Sequence, residues 1–324
     1  MREPRTPGTL DSVRTMSLET ITYERDGRVA RITLDRPERG NGITLEMPPE
    51  LAACVERANL DPGVHVIALA GNGSGFCGGY DLVASAERIG EPPSAGRGAS
   101  GVAPEGSPLD PLVQGRNHDP DSAWDPVTDY QMMSRNVRGF MSLFWSEKPV
   151  VCKVHGYCVA GGTDMALCSD LLVAEDRAKI GYPPARVWGV PTTALWAHRN
   201  GPARAKRLLL TGDSISGTEA VEWGLAAEAA PAAELDQRFE GLLARVARLP
   251  INQLVMHKLL VNQTVAAQGL AATQVLGTVF DGIARHTPEG FEFARRAAEA
   301  GFKEAVRERD EPFGDFGLGA TGPD

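Results

Sequence analysis

The chain has 324 residues, 42% of them hydrophobic, and a formal net charge of -9. That is ample apolar material for a large core in one or two domains. An acidic balance with no basic stripe argues against a general nucleic-acid binder, and no run approaches the ~18 apolar residues of a membrane span.

The five cysteines, Cys54, Cys77, Cys152, Cys158 and Cys168, form no CxxC pair and have no histidine ladder nearby. No metal site is expected from them. Their odd number and lack of framework spacing predict reduced thiols and a cytoplasmic setting. Residues 1–18 are polar and contain proline. They predict an extended or disordered start without a secretory signal.

"ETITYERDGRVARITLDRP" predicts a hairpin, with Ile21 and Tyr23 alternating in one arm, Val29, Ile32 and Leu34 in the other, and Asp26-Gly27 as the turn. A helix is expected from about Pro48 to Asn59. "GVHVIALAG" (63–71) reads as a short buried strand running into the glycine-rich "GNGSGFCGGYDL". From Gly90 to Asp121, twelve of thirty-two residues are Gly or Pro. That is poor material for a packed element and predicts a loop or lid within an insertion at 84–125.

Asp125-Pro126 is a helix start, an N-cap acid with proline in the first turn. Val127, Tyr130, Met133, Val137, Phe140, Met141 and Phe144 carry the periodicity to Trp145. "KPVVCKVHG" (148–156) is a second buried strand and "DLLVAED" a third. Between them, Gly161 and Gly162 stand where a helix begins. Glycine costs about 1 kcal/mol against alanine in a helix interior. It is useful where backbone must come close to another group or present a bare N–H. Strand, glycine turn and helix thus occur twice, which favours an α/β core. From Ala203 onward the chain reads as mainly helical. Thr287-Pro288 opens a helix expected to carry Phe291, Phe293, Ala297 and Phe302, and residues 311–324 read as a tail.

Four stretches, "ITLDRPERGNGITLEM", "GSGFCGGYDL", "KPVVCKVHGYCVAGGTDMALCSDLLVAED" and "GPARAKRLLLTGDSISGTEAVEWGL", resemble successive blocks of the crotonase superfamily. That family includes the enoyl-CoA hydratases and isomerases. The similarity runs over residues 19–310, broken by the insertion. It implies an α/β fold: a spiral of ββα turns over 19–225, then a helical trimerisation region over 226–310. It also implies an acyl-CoA thioester as partner, assembly as a homotrimer or dimer of trimers, and no permanently bound cofactor, CoA being part of the substrate.

The resemblance implies an oxyanion hole for a thioester enolate made from the backbone N–H groups of Tyr80 and Gly161. Preorganised donors at a helix N-terminus suit a developing anion on physical grounds as well. Asn41, Gly42, Ile43, Gly79, Asp81, Leu82 and Gly162 are implied to line the CoA or acyl moiety. Arg36, Lys258 and Lys303 are candidates for CoA phosphates.

Hydratases of this family use two glutamates. Asp164 stands at the first position, shorter by one methylene, and Pro184 at the second. Proline can transfer no proton, so ordinary hydration is in doubt. Asp170, Glu175, Asp176 and His155 are the other titratable groups that could substitute. Asp170 reads as structural, Glu175 and Asp176 as solvated, and His155 as a packing histidine or pocket donor. Tyr182, Arg186 and Trp188 flank the vacated position. His118, Trp124 and Tyr130 either close over the acyl group or belong to a surface loop and helix core. The expected function is an acyl-CoA enzyme with one retained carboxylate. The alternatives are a catalytically weak acyl-CoA-binding protein, a one-base isomerase or a thioester hydrolase.

Overall fold

The computed structural model describes residues 18–81 and 104–314. Strands β1 (Ile21–Asp26) and β2 (Val29–Leu34) form the expected hairpin. Asp26 pairs with Val29, so the loop is Gly27-Arg28, one residue later than the sequence pattern places it. β2 then pairs in parallel with β3 (Val66–Gly71), β3 with β4 (Val150–Val154), β4 with β6 (Leu171–Glu175), and β6 with β9 (Glu228–Ala230). Parallel neighbours need crossovers. Helix α1 (Met47–Leu60) makes the first and α2 (Pro111–Asn117) with α3 (Pro126–Trp145) lies in the second.

A second, three-stranded sheet runs β5 (Tyr157–Val159), β7 (Lys179–Gly181), β8 (Ser214–Ile215). From β4 onward, successive turns place one strand in each sheet, as in the ββα spiral that the resemblance implies. The sequence pattern does not announce these three short strands. Two or three residues carry too little periodicity to register.

The central strands β3, β4 and β6 are buried on both faces, which is why they read as near-continuous apolar runs. Ile32, Leu34, Ile67 and Leu69 face the main core with α1 and α3. Val66, Ala68, Val151 and Val173 face Leu235, Phe239 and Leu243 of α7 (Ala232–Ala247). The strands of this second half are joined through the short α4 (Gly161–Ala166), the longer α5 (Trp196–Thr211), kinked at Gly201, and the short α6 (Gly217–Glu222). The chain closes with α8 (Ile251–Ala267), α9 (Leu270–Arg285), α10 (Pro288–Ala300) and α11 (Phe302–Asp310). Helix α9 packs along α3, and this contact builds one wall of the site.

Three expectations are corrected. Part of the insertion is helical: Asp110 caps α2, accepting from Leu112 N, and α2 packs on α3. Phe302 opens a new helix after Gly301 rather than continuing α10. The start of the supposed tail is ordered, since Glu311–Phe313 forms a 3-10 turn whose Phe313 ring lies 4.4 Å from the Arg186 guanidinium. The N-terminal residues 1–17, the first part of the insertion with Leu82, and residues 315–324 fall outside the described residues.

Candidate active site

Two loops press together at the start of α4. Ile43 donates to Gly79 O at 2.8 Å, and Asp81 N donates to Ile43 O at 3.0 Å. This bridge engages the residues on either side of Tyr80 and leaves the Tyr80 N–H outside the ladder. Among the described residues no hydrogen bond is made by Tyr80 N or by Gly161 N. Gly161 is the first residue of α4, where the N–H has no partner within the helix.

Small residues make the contact possible. Gly79 has φ +102, and a Cβ there would lie 2.8 Å from the Ala160 Cβ and 3.6 Å from Gly161 N. A Cβ on Gly162 would lie 2.5 Å from Cys77 O. Ala160, which caps the helix, is itself at φ 54, an uncommon conformation that costs on the order of 1–3 kcal/mol. The glycine pair therefore lets α4 abut the Cys77–Tyr80 loop.

Asp164 lies one turn further along α4 and is fully buried. Its Oδ1 accepts from Thr193 N at 3.0 Å and from the Thr193 hydroxyl at 2.7 Å, while its Oδ2 has no partner. Burial raises its pKa from 3.8 to about 7; the Thr193 bonds oppose this and the charge of Asp281 adds to it. A carboxyl poised near neutrality with one oxygen free is the form in which an acid can both take and return a proton.

The second wall comes from α9. Gln274 donates to Thr193 O at 3.0 Å. Two turns on, Asp281 lies close to the Val190 N–H, so the same helix face lines the 190–193 segment that holds Asp164. Asp281 is buried, and its pKa is raised by that burial against the opposing Arg285. Arg285 bridges Asp281 at 3.2 Å and Asp129 of α3 at 3.0 Å. Asp129 in turn accepts from Trp124 Nε1 at 2.6 Å, and Trp124 stacks on His286 at 4.5 Å. His286 also meets Asn117 O at 2.9 Å. A polar chain thus runs from the insertion to the neighbourhood of Asp164. Asp281 escaped the sequence reading because one acid on an amphipathic helix reads as a solvated position.

The remaining candidates divide. Tyr80 and Ile43 stand against Gly161, whose added Cβ would lie 2.8 Å from Tyr80 Cε2 and 2.9 Å from Ile43 Cδ1. Asn41 is buried at φ 53 and donates to the carbonyls of Asn72, Gly75 and Phe76, so its side chain shapes the glycine-rich loop. A Cβ on Gly42 would lie 2.9 Å from the Asp81 Cβ. The Asp81 carboxylate is held by Arg36 at 2.9 Å and Arg39 at 3.3 Å, which also occupies Arg36. Lys258 is buried against Leu143 O, Ser146, Lys148 O and Asp170, so it is a structural tie rather than a phosphate contact. Asp170 further accepts from Val150 N at 2.6 Å, a structural role. Glu175 accepts from Gly156 N at 2.8 Å and is not merely solvated.

His155 faces Gly73 O at 2.9 Å. Tyr182 donates to Val190 O at 3.0 Å, and Trp188 packs on Phe293 at 6.0 Å. Arg186 turns away into a buried pair with Asp310 at 2.9 Å. Pro184 sits in the 3-10 turn Pro183–Arg186, and its carbonyl accepts from Gly189 N at 2.8 Å. Lys303 is exposed on α11. His118 is packed near His286 and Phe291, and burial lowers its pKa to about 4. Tyr130 is half-buried on α3.

Spiral fold, glycine-opened helix and buried acid together define an enzyme class. The chain belongs to the enoyl-CoA hydratase/isomerase family, whose sequence profile matches residues 24–95 and 125–292. This is a family of lyases and isomerases of CoA metabolism. The chain is 55% identical to a crystal structure of enoyl-CoA hydratase from Mycobacterium smegmatis, covering 94% of this chain and 98% of that one with a TM-score of 0.85. It is 30% identical over 213 residues to carnitinyl-CoA dehydratase of Proteus mirabilis, 64% of this chain and 67% of that protein. It is also 28% identical over 291 residues to (E)-benzylidenesuccinyl-CoA hydratase of Thauera aromatica, 86% of this chain and 98% of that one.

Proposed function

We propose that this protein transfers protons on an acyl-CoA thioester enolate, with the Tyr80 and Gly161 N–H groups holding the thioester oxygen and Asp164 as the acid/base. The observation that carries this reading is the pair of unengaged N–H groups beside a buried carboxyl with one bare oxygen. The donors act where negative charge develops, and losing one such donor costs roughly 2.7–4 kcal/mol of barrier in other enzymes. Pro184 supplies no second acid. Asp164 therefore takes and returns the proton in turn, as in a double-bond shift or in a one-carboxyl addition or removal of water. The hydratase and dehydratase names of the relatives support the latter.

The exposed Met256, Leu259, Leu260 and Val261 of α8 and Val275, Leu276, Phe280 and Ile283 of α9 support self-association as a trimer or dimer of trimers. The five free, buried thiols support a cytoplasmic setting.

The test is a panel of saturated and α,β-unsaturated acyl-CoAs incubated with the protein, read by mass spectrometry and absorbance. Gain or loss of water, or an unchanged mass with altered absorbance, supports the reading. Release of free CoA as the main product, or no turnover of any thioester, overturns it.

A further inference from the structure

We propose that Arg186 and Asp310 are positioning residues: they clasp the turn at 183–189 to the end of α11 and thereby hold the 190–193 segment on Asp164. The inference rests on the reading of Asp164 as the acid/base and adds two residues that act on it from outside the site.

Each nitrogen of the Arg186 guanidinium reaches a different residue. Nε donates to Thr211 O at 3.1 Å, Nη1 to Asp310 at 2.9 Å and Nη2 to Asp213 at 3.5 Å. The Phe313 ring lies 4.4 Å from the same group. The side chains of Arg186 and Asp310 are only 1% and 3% exposed, so the pair is an interior one. Gly212, at φ +67, makes room for it, since a Cβ there would run into the Arg186 stem. A buried ion pair adds little net stability over apolar packing. What it supplies is a fixed geometry between the turn, the end of α5 and the end of α11.

The C-terminal helices touch the turn at a second point. Trp188 packs on Phe293 of α10 at 6.0 Å, and Phe293 meets Phe302 of α11 at 6.2 Å. Within the turn, Pro184 O accepts from Val187 N and Trp188 N at 3.0 Å and from Gly189 N at 2.8 Å. Those three bonds make it a stiff unit. Its other end faces the site. Tyr182 is buried, its hydroxyl donates to Val190 O at 3.0 Å, and the charges of Asp164 and Asp281 bear on its phenol. Three residues beyond Val190, Thr193 holds Asp164 Oδ1. A continuous path of bonds thus joins Asp310 to the carboxyl.

Burial is the largest cause of the raised pKa of Asp164. A turn released from α11 loosens the 190–193 segment, admits water and lowers that pKa toward its ordinary value. The titratable groups facing Asp164 are Tyr80, Cys158, Cys168, Tyr182 and Asp281. Those facing Arg186 are Asp213 and Asp310. Arg186→Met changes none of them and keeps an unbranched stem. It strands no carboxylate either, because Asp310 keeps Arg309 and Asp213 keeps Arg207.

The test compares full-length wild type and Arg186→Met, each with and without Asp164→Asn. In the wild-type background Asp164→Asn should gain stability from pH 4 to pH 8, as the raised pKa requires. In the Arg186→Met background that pH-dependent gain should fall by about half or more. On the thioester that the product panel identifies, Arg186→Met should lower kcat about tenfold with KM nearly unchanged. The midpoint of its kcat/KM profile should drop by about 0.5 in pH or more. A lower melting temperature with gain and midpoint both unmoved marks the pair as structural only and overturns the inference. Hydrogen exchange of the wild type needs no variant: amides at 187–189 and in α11 should open at one free energy, as a single unit. Protection at 187–189 that outlasts α11 overturns the inference even where the variant fails to fold. Absence of turnover on every thioester overturns the acyl-CoA reading and leaves the stability and exchange readouts to decide the clasp.

Discussion

Thr193 holds one oxygen of Asp164 and leaves the other bare. Its N–H and hydroxyl both reach Oδ1, at 3.0 and 2.7 Å, across 29 residues of sequence. The arrangement fixes the carboxyl rotamer and aims Oδ2 without quenching it. Removing either Thr193 donor would free the carboxyl to rotate, but removing the carboxyl tests the chemistry more directly.

Asp164→Asn keeps an oxygen for both Thr193 donors and loses only the ability to exchange a proton. A fall in kcat of about 10²–10⁴ is expected on the thioester that the product panel identifies. KM should move much less. Steady-state kinetics with a fall below about threefold would remove Asp164 from the mechanism.

The same variant makes a prediction about stability. The folded-state pKa of Asp164 is raised from 3.8 to about 7, so the native state holds this proton more tightly than the unfolded chain does. The resulting stabilisation is present in full below about pH 4 and is lost as pH rises to about 7. Asp164→Asn should therefore be more stable than wild type at pH 8, by up to a few kcal/mol, with the gain shrinking toward pH 4. Urea unfolding of both proteins at several pH values measures the difference. Asp281 titrates in both proteins and is coupled to Asp164, so the difference reports Asp164 together with its effect on Asp281. A constant difference from pH 4 to 8 would contradict the shifted pKa.

Gly161→Pro removes the N–H assigned to the thioester oxygen at the first helix position, and its Cβ meets the same Tyr80 and Ile43 atoms as that of Gly161→Ala, so the alanine variant is its steric control. Turnover should fall by 10² or more. Gly161→Ala keeps the N–H but brings its Cβ to 2.8 Å from Tyr80 Cε2, so it should cost less in rate and displace the Tyr80 ring. Circular dichroism establishes that each variant is folded. A folded proline variant with full activity would exclude this donor.

Asp281→Asn keeps the shape of the side chain and removes a negative charge that disfavours ionised Asp164. The midpoint of the pH profile of kcat/KM, which reports the free enzyme, should move toward lower pH. The groups facing Asp281 are Asp164, Tyr80, Tyr182, Arg285 and Asp129. Arg285 keeps its bond to Asp129 in the variant, which limits structural loss. A purely structural role for Asp281 would lower activity without moving the midpoint.

Much of the fold was legible because it is written locally. The hairpin, α1, the capped start of α3 at Asp125 and the helical C-terminal half all follow from periodicity and capping over neighbouring residues. The insertion was less so. Its Gly and Pro content masks α2, which is held by the Asp110 cap and by tertiary contact with α3 and His286 rather than by helix propensity. Charged residues misled for a related reason. Arg36, Arg186 and Lys258 are all polar by sequence, yet each is spent on a carboxylate that the chain brings from 45, 124 and 88 residues away.

By itself, then, the sequence determined the glycine pair, the acid three residues after it, the loss of a carboxyl at Pro184 and the family blocks around them. Those features depend on short-range order along the chain, where spacing alone places a residue on a turn or helix face. Only the tertiary structure decided which groups meet. It set Thr193 against Asp164, brought α9 over the 190–193 segment, and placed the buried Tyr80 close enough for the Asp164 charge to bear on its phenol. Burial then does what no sequence pattern expresses: removing water from Asp164 raises its pKa to about 7 and turns an ordinary aspartate into a proton carrier.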